Sequence, residues 1–179
     1  MPFAAGAVWA VTTPAPDLLV TSDGRHLALR TEEGSYALLR PKAKDFVRNM
    51  LAEAAGRDEE LTDLDALPGA ACTADACLAT LRRGGRNWRV LATRSAYLIP
   101  IETMNRACAE ADIVVSDRRL PRTCKPKWLK LDRFTLSRTG GVTVQLAYAP
   151  NVKVTKHAGD EHLWLRTEFR RRTPVRDLQ

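Results

Sequence analysis

Apolar positions alternate with polar ones in short runs over residues 18–21, 26–31 and 36–40, separated by Ser22-Asp23-Gly24 and Glu33-Gly34. Alternation with period two, punctuated by Asp-Gly and Glu-Gly, predicts a β-meander. Over residues 42–55 the spacing changes: Phe46, Val47, Met50, Leu51 and Ala54 recur at helical intervals, and Gly56 stands where a C-cap would be. The acidic stretch 58–65, closed by Pro68-Gly69, reads as an exposed loop with its carboxylates in water. A second hairpin follows, with strands over 77–82 and 87–94 around Arg83-Gly84-Gly85-Arg86. Residues 101–111 read as a helix, and Ile113-Val114-Val115 as a buried strand. Further strands are predicted over 128–131, 142–148 and 152–155. Hairpins, helices and an all-apolar strand together predict an α/β (α+β) fold with sheet and helices in layers.

The chain has 179 residues, 45% hydrophobic and 27% charged, which suits one folded domain and excludes a disordered or fibrous chain. The expected division is a single globular domain over 17–165, a segment 1–16, and a basic tail over 166–179 without fixed structure. No run of ~18 apolar residues occurs, so no complete membrane-spanning helix is written in the sequence. Residues 1–11, MPFAAGAVWAV, are nevertheless uncharged and apolar, with no basic n-region before them. Two readings stand for them: a mobile or packed terminus, and the last turns of a membrane helix.

Three histidines, His26, His157 and His162, have no metal-ligand spacing, and nucleophile elbows, P-loops, dinucleotide-binding glycines and H-E-x-x-H are missing. The sequence therefore offers no catalytic residue, cofactor, histidine metal site or small-molecule substrate. Four cysteines remain: Cys72 and Cys77 on either side of a tight turn, and Cys108 and Cys124 flanking the strand 113–115. An even number so placed is compatible with two disulfides, which persist in oxidising compartments. Free thiols or a metal site are the other readings of the same four residues.

The formal net charge is +7, a surplus that admits an acidic partner. It concentrates in residues 117–133, where Arg118, Arg119, Arg122, Lys125, Lys127, Lys130 and Arg133 face only Asp117 and Asp132. Such a cluster contacts phosphates when it gathers on one surface, and Trp128 inside it offers a ring for base stacking. The plainer reading is a solvated charged face with Trp128, Leu129 and Leu131 packed inward.

The segment CAEADIVVSDRRLPRTC (108–124), followed by KPKWLKLDR (125–133), resembles the C-terminal part of ComEC-type competence proteins of alphaproteobacteria. So do DLLVTSDGRHLALR (17–30) and ATRSAYLIP (92–100). The likeness covers about residues 17–164 and lies in structural, not catalytic, motifs. Members of that family are polytopic inner-membrane proteins that pass single-stranded DNA into the cell during natural transformation. The resemblance implies a metallo-β-lactamase-like αββα domain attached to the membrane channel part of the same protein, and the disulfide reading of the cysteines would make it face the periplasm. Residues 1–11 would then end its last membrane helix. Because the H-x-H-x-D-H cluster of metallo-β-lactamase-like hydrolases is missing, the resemblance implies a degenerate, non-catalytic domain. Its expected nucleic-acid contacts are Arg118, Arg119, Arg122, Lys125, Lys127, Trp128 and Lys130. A residual metal-dependent nuclease and a stand-alone structural or interaction domain are the alternatives.

Overall fold

Gly84 and Gly85 take φ values of 57° and 76°, the backbone of a two-residue turn that only glycine adopts without strain, and they join the longest hairpin in the molecule. Around that hairpin the computed structural model describes residues 14–40, 45–55, 61–157 and 159–160. The apolar N-terminal stretch 1–11, Gly56, His162 and the tail 166–179 lie outside the described residues.

The strands are β1 (Leu18–Val20), β2 (Leu27–Arg30), β3 (Tyr36–Leu38), β4 (Thr62–Asp63), β5 (Ala70–Cys72), β6 (Ala76–Arg83), β7 (Arg86–Thr93), β8 (Ile113–Val115), β9 (Leu129–Leu131), β10 (Val142–Gln145) and β11 (Asn151–Val154). Among the described residues three α-helices accompany them: α1 (Asp45–Ala55), α2 (Ile101–Glu110) and α3 (Arg133–Thr139). The first sheet runs β11-β10-β1-β2-β3-β4, antiparallel except for the β3–β4 pair. The second runs β5-β6-β7-β8-β9, antiparallel up to β7 and parallel from there. A parallel step between β7 and β8 requires a crossover, and α2 supplies it.

Period-two alternation decides which side chains meet. Leu18, Val20, Leu27 and Leu29 of the first sheet face Ala79, Leu81, Trp88, Val90, Ile113 and Val115 of the second in one apolar core. On the outer face of the first sheet Leu19, Ala28, Tyr36 and Leu38 pack under Leu51 of α1. On the outer face of the second, Leu91 and Val114 pack under Met104 and Cys108 of α2. The order is thus helix, sheet, sheet, helix, and the fold class is mixed α+β. A buried ion pair bolts the two sheets together: Asp17 accepts from Arg83 Nε at 2.8 Å and from the Leu146 amide at 2.7 Å. Arg83 also donates to the Arg30 and Thr31 carbonyls, so neither charge is left without compensation. Among the described residues no helix is long and apolar enough to cross a membrane.

Three expectations need correction. Residues 61–65 are not a solvated loop: Leu61 and Leu64, interleaved with the acidic residues, are buried, and Thr62–Asp63 pairs with β3. The run 142–148 ends as a strand at Gln145, where Asp17 captures the next amide. And α3 was not foreseen, because a seven-residue helix with one buried leucine, Leu136, shows too little periodicity.

Candidate nucleic-acid interface

β9 is an edge strand, paired with β8 alone among the described residues. The loop before it, residues 116–128, is held by a few specific bonds, first to the residues that lead into β8. The Lys127 amide donates to the Ala111 carbonyl, and those of Trp128 and Leu129 to the Asp112 carbonyl, each at 3.0 Å. Buried Asp132 sits at the end of the strand and serves two elements at once. Its Oδ1 caps α3 by accepting from the Thr135 amide at 3.0 Å, and its Oδ2 accepts the Leu120 amide of the loop at 3.1 Å.

That end of β9 is concave. A pocket of about 210 Å³ is lined by Arg119, Arg122, Lys130, Asp132, Phe134 and Thr135. Phe134 is 50% exposed, and the guanidinium groups of Arg119 and Arg138 lie 5.0 and 5.8 Å from its ring centroid. Phe134 and Arg138 stand four residues apart on α3, which puts both on one face of the helix. At the other end of β9, Trp128 is 36% exposed and leans on buried Trp88, ring centroids 5.1 Å apart and planes tilted by 59°. Arg86 covers the Trp88 ring at 3.8 Å while its Nη2 donates to Asp112 at 2.7 Å. Four residue steps of extended chain, about 13 Å, separate Trp128 from Asp132.

The candidate residues divide into three groups. Arg122, Lys125 and Lys127 are exposed, with no carboxylate in ion-pair range among the described residues, and Arg119 is exposed over Phe134. Arg118 and Lys130 are spoken for: Arg118 Nη1 donates to the Ala96 carbonyl at 3.2 Å and to that of Tyr97, and Lys130 Nζ to the Pro121 carbonyl at 2.7 Å. Trp128 does both jobs, covering Trp88 and presenting its outer part to solvent. Phe134, Arg138 and Arg86 were missed by reading the sequence. The i, i+4 pair behind Asp132 was the available signal.

All four cysteines are paired, Cys72 with Cys77 and Cys108 with Cys124. Asp65 lies within 4.8 Å of the Cys72 and Cys77 sulfurs, a grouping that on spacing alone would suit a metal ion. The sulfurs are engaged with each other, however, and the cation beside them is Arg94, bound to Asp65 at 2.7 and 2.9 Å. His26 is part-buried in the β1–β2 turn, and burial pushes its imidazolium below the ordinary range. His157 is exposed beyond β11. The register places β2 and β11 three strand spacings apart, about 14 Å, so His26 and His157 do not share one ion.

One further convergence concerns the segments 17–30, 92–100 and 108–124. The Thr93 hydroxyl donates to Ser116 at 2.8 Å, Arg118 holds the Ala96 carbonyl, and Arg25 and Arg40 approach Asp117 at 4.0 and 3.4 Å. Gly24, at φ 69°, passes so close to the Ser116 carbonyl that a Cβ would lie 2.6 Å from its oxygen. The three segments therefore meet at one end of the sandwich, and at Gly24 no side chain fits. The chain matches no protein-family model, and no curated protein or solved structure is significantly similar to it.

Proposed function

We propose that this chain is the C-terminal region of a ComEC-type DNA-uptake protein, a non-catalytic domain that contacts single-stranded DNA along β9. The observation that carries the reading is the pocket at the end of β9, where a half-exposed Phe134 ring lies among Arg119, Arg122 and Arg138. An exposed ring face takes an unstacked base, and guanidinium groups around it take the flanking phosphates. Lys125, Lys127 and Trp128 continue the same track at the other end of the strand. A duplex does not offer an unpaired base to such a ring, hence the preference for single strands.

Three further facts support the reading. The segments that resemble the family are those that meet in space at the Ser116 end of the sandwich. Layers in the order helix, sheet, sheet, helix agree with a metallo-β-lactamase-like ancestry. Two disulfides favour an oxidising compartment, which for this family is the periplasmic side of the inner membrane. We read the domain as non-catalytic because the strands next to His26 and His157 stand three spacings apart and, among the described residues, neither histidine belongs to a ligand cluster.

The test is binding of a fluorescent oligothymidylate by the purified chain and by an Arg119→Glu/Arg122→Glu/Lys127→Glu variant at two salt concentrations. Removing one phosphate-binding cation should lower the slope of log affinity on log salt by about 0.7, and the triple variant should bind at least about tenfold more weakly. Equal affinity and slope would remove the DNA contact and leave a structural or interaction module. Cleavage of the oligonucleotide with Mg2+, Mn2+ or Zn2+ would replace the non-catalytic reading with a nuclease. For the channel part, an antibody against the domain should detect a larger, membrane-bound product in its native cells; a free product of this chain's own size would remove it.

A further inference from the structure

We propose that the Cys72–Cys77 disulfide is a thiol–disulfide exchange site, opened by a dithiol that attacks Cys72 and expels Cys77 as a thiolate beside Arg94. The proposal stands on the asymmetry of the pair and does not depend on the DNA reading. Cys72 ends β5, the edge strand opposite β9 in the second sheet, and its register partner on β6 is Cys77. Both side chains lie on the core side of the sheet, but Cys72, at the sheet edge, is partly exposed, whereas Cys77 is 1% exposed. A thiolate must reach the sulfur it attacks, so Cys72 is the electrophile and Cys77 the leaving group.

The leaving sulfur has a cation waiting. Arg94 Nη1 lies 3.4 Å from Cys77 Sγ. The guanidinium is fixed there by Asp65, and the Arg94 amide is fixed by a bond to the Asp75 carbonyl at 2.8 Å. The guanidinium charge favours the leaving thiolate against burial and the Asp65 carboxylate 3.8 Å away, and a leaving thiolate that is better stabilised departs faster. The disulfide sulfur has no proton to give Asp65, 3.8 Å away, but a reduced Cys77 thiol has one.

The hairpin does not depend on the bond it carries. The Thr73 amide donates to the Ala76 carbonyl at 2.8 Å, and Thr73 Oγ1 accepts from the Asp75 and Ala76 amides. Further along, Ala70 pairs with Ala79 and the Thr80 amide donates to the Gly69 carbonyl at 2.8 Å. Opening the disulfide therefore leaves β5 seated, which is what a bond that cycles requires.

The chemistry balances as a two-electron exchange. The first thiolate of the dithiol bonds to Cys72 Sγ, and the Cys72–Cys77 bond breaks with its electron pair on Cys77. The second thiolate then attacks the dithiol's own sulfur in the mixed disulfide and releases Cys72. The dithiol leaves as a disulfide, and the two protein thiolates take up protons according to pH. Cys108 of α2 and Cys124 of the loop are both buried and stand outside this reaction.

The experiment treats the folded chain with dithiothreitol, quenches with iodoacetamide at intervals, and maps the alkylated cysteines by mass spectrometry. Cys72 and Cys77 should label faster than Cys108 and Cys124 by on the order of 100-fold. With reduced glutathione in place of dithiothreitol, the trapped adduct should sit on Cys72 and the alkyl group on Cys77. Arg94→Gln should slow opening about tenfold, while Arg94→Lys, which keeps the charge, should restore most of the rate. Equal labelling of the two disulfides, or glutathione on Cys77, would overturn the proposal, and both readings use the unaltered chain. A folded Arg94→Gln variant that opens at the parent rate would overturn the role of the guanidinium.

Discussion

Cys108–Cys124 lies between α2 and the loop 116–128, inside the apolar layer on the outer face of the second sheet. Cys72–Cys77 joins paired residues at the opposite edge of the same sheet, with Asp65 and Arg94 beside it. The first joins a loop and a helix that otherwise meet through the apolar cluster of Leu120 and Met104; among the described residues the other side-chain bond between them is the exposed one from Thr123 to Asn105. The second joins strands that already hold each other through a hydrogen-bonded turn. The chain thus uses one kind of bond for two purposes, and surroundings decide which. Closing 16 residues rather than 5 also removes more freedom from the unfolded chain, about 3 against about 2 kcal/mol in the loop-entropy picture.

The sharpest way to break this comparison is to remove each bond in turn. Cys108→Ala/Cys124→Ala should lower the unfolding free energy by about 3 kcal/mol, read from urea titration. Because the same loop carries Arg119, Arg122, Lys125 and Lys127, oligothymidylate affinity should fall with it, even though no charge has been altered. Cys72→Ala/Cys77→Ala should cost less and leave that affinity where it was. If the second variant loses as much stability and affinity as the first, the division between the two bonds is wrong.

A smaller effect tests why the second bond is dispensable. Thr73→Ala removes the side-chain bonds of the turn, each of which contributes about 1 kcal/mol at most in an exposed setting. In the parent chain the disulfide still closes the hairpin, so the loss should be slight. Without the disulfide the same substitution should cost more, with a coupling of about 0.5–1 kcal/mol in a double-mutant cycle. Strict additivity would mean that turn and disulfide do not substitute for each other.

The parts of this fold legible in the sequence are those set by local chemistry. Glycines at Gly24, Gly84 and Gly85 require positive φ and so announce their turns, while Ile113-Val114-Val115 has no polar position to face water. β4 and β5 were not legible, since two or three residues establish no period and their place comes from β3 and β6. The candidate interface shows the same limit. Counting charges finds Arg118 and Lys130 as readily as Arg122, but the partners that engage them are backbone carbonyls of Ala96, Tyr97 and Pro121, which no side chain reveals. Phe134 gains its meaning only from α3, which turns it toward Arg119. The pairing of the cysteines was compatible with their positions, yet only register shows that Cys72 faces Cys77.

The smallest predicted effect concerns pH and separates the two disulfides by a different route. Burial of His26 in the β1–β2 turn lowers its pKa, outweighing the pull of Asp23, and the charges of Arg40 and Arg25 act in the same direction. A histidine whose folded pKa lies below its ordinary value binds more protons unfolded than folded. Its contribution is therefore intact above about pH 6.5 and declines as pH falls below that, levelling once the folded side chain is protonated too. Asp23 acts elsewhere on the scale: burial raises its pKa, but the Thr21 hydroxyl, the Arg25 amide and the charges of His26 and Arg25 together lower it, and its stabilisation is lost only as pH falls below the ordinary carboxylate range. A phosphine reductant that works in mild acid turns this into a rate. Cys108–Cys124 is reached only through opening of the fold, so its reduction should quicken between pH 7.5 and 5.5 relative to that of Cys72–Cys77, which is reached from outside. His26→Gln, which keeps the backbone bond from residue 26 to the Thr21 hydroxyl, should flatten that ratio. A ratio that rises equally in the variant would assign the acid sensitivity to another group.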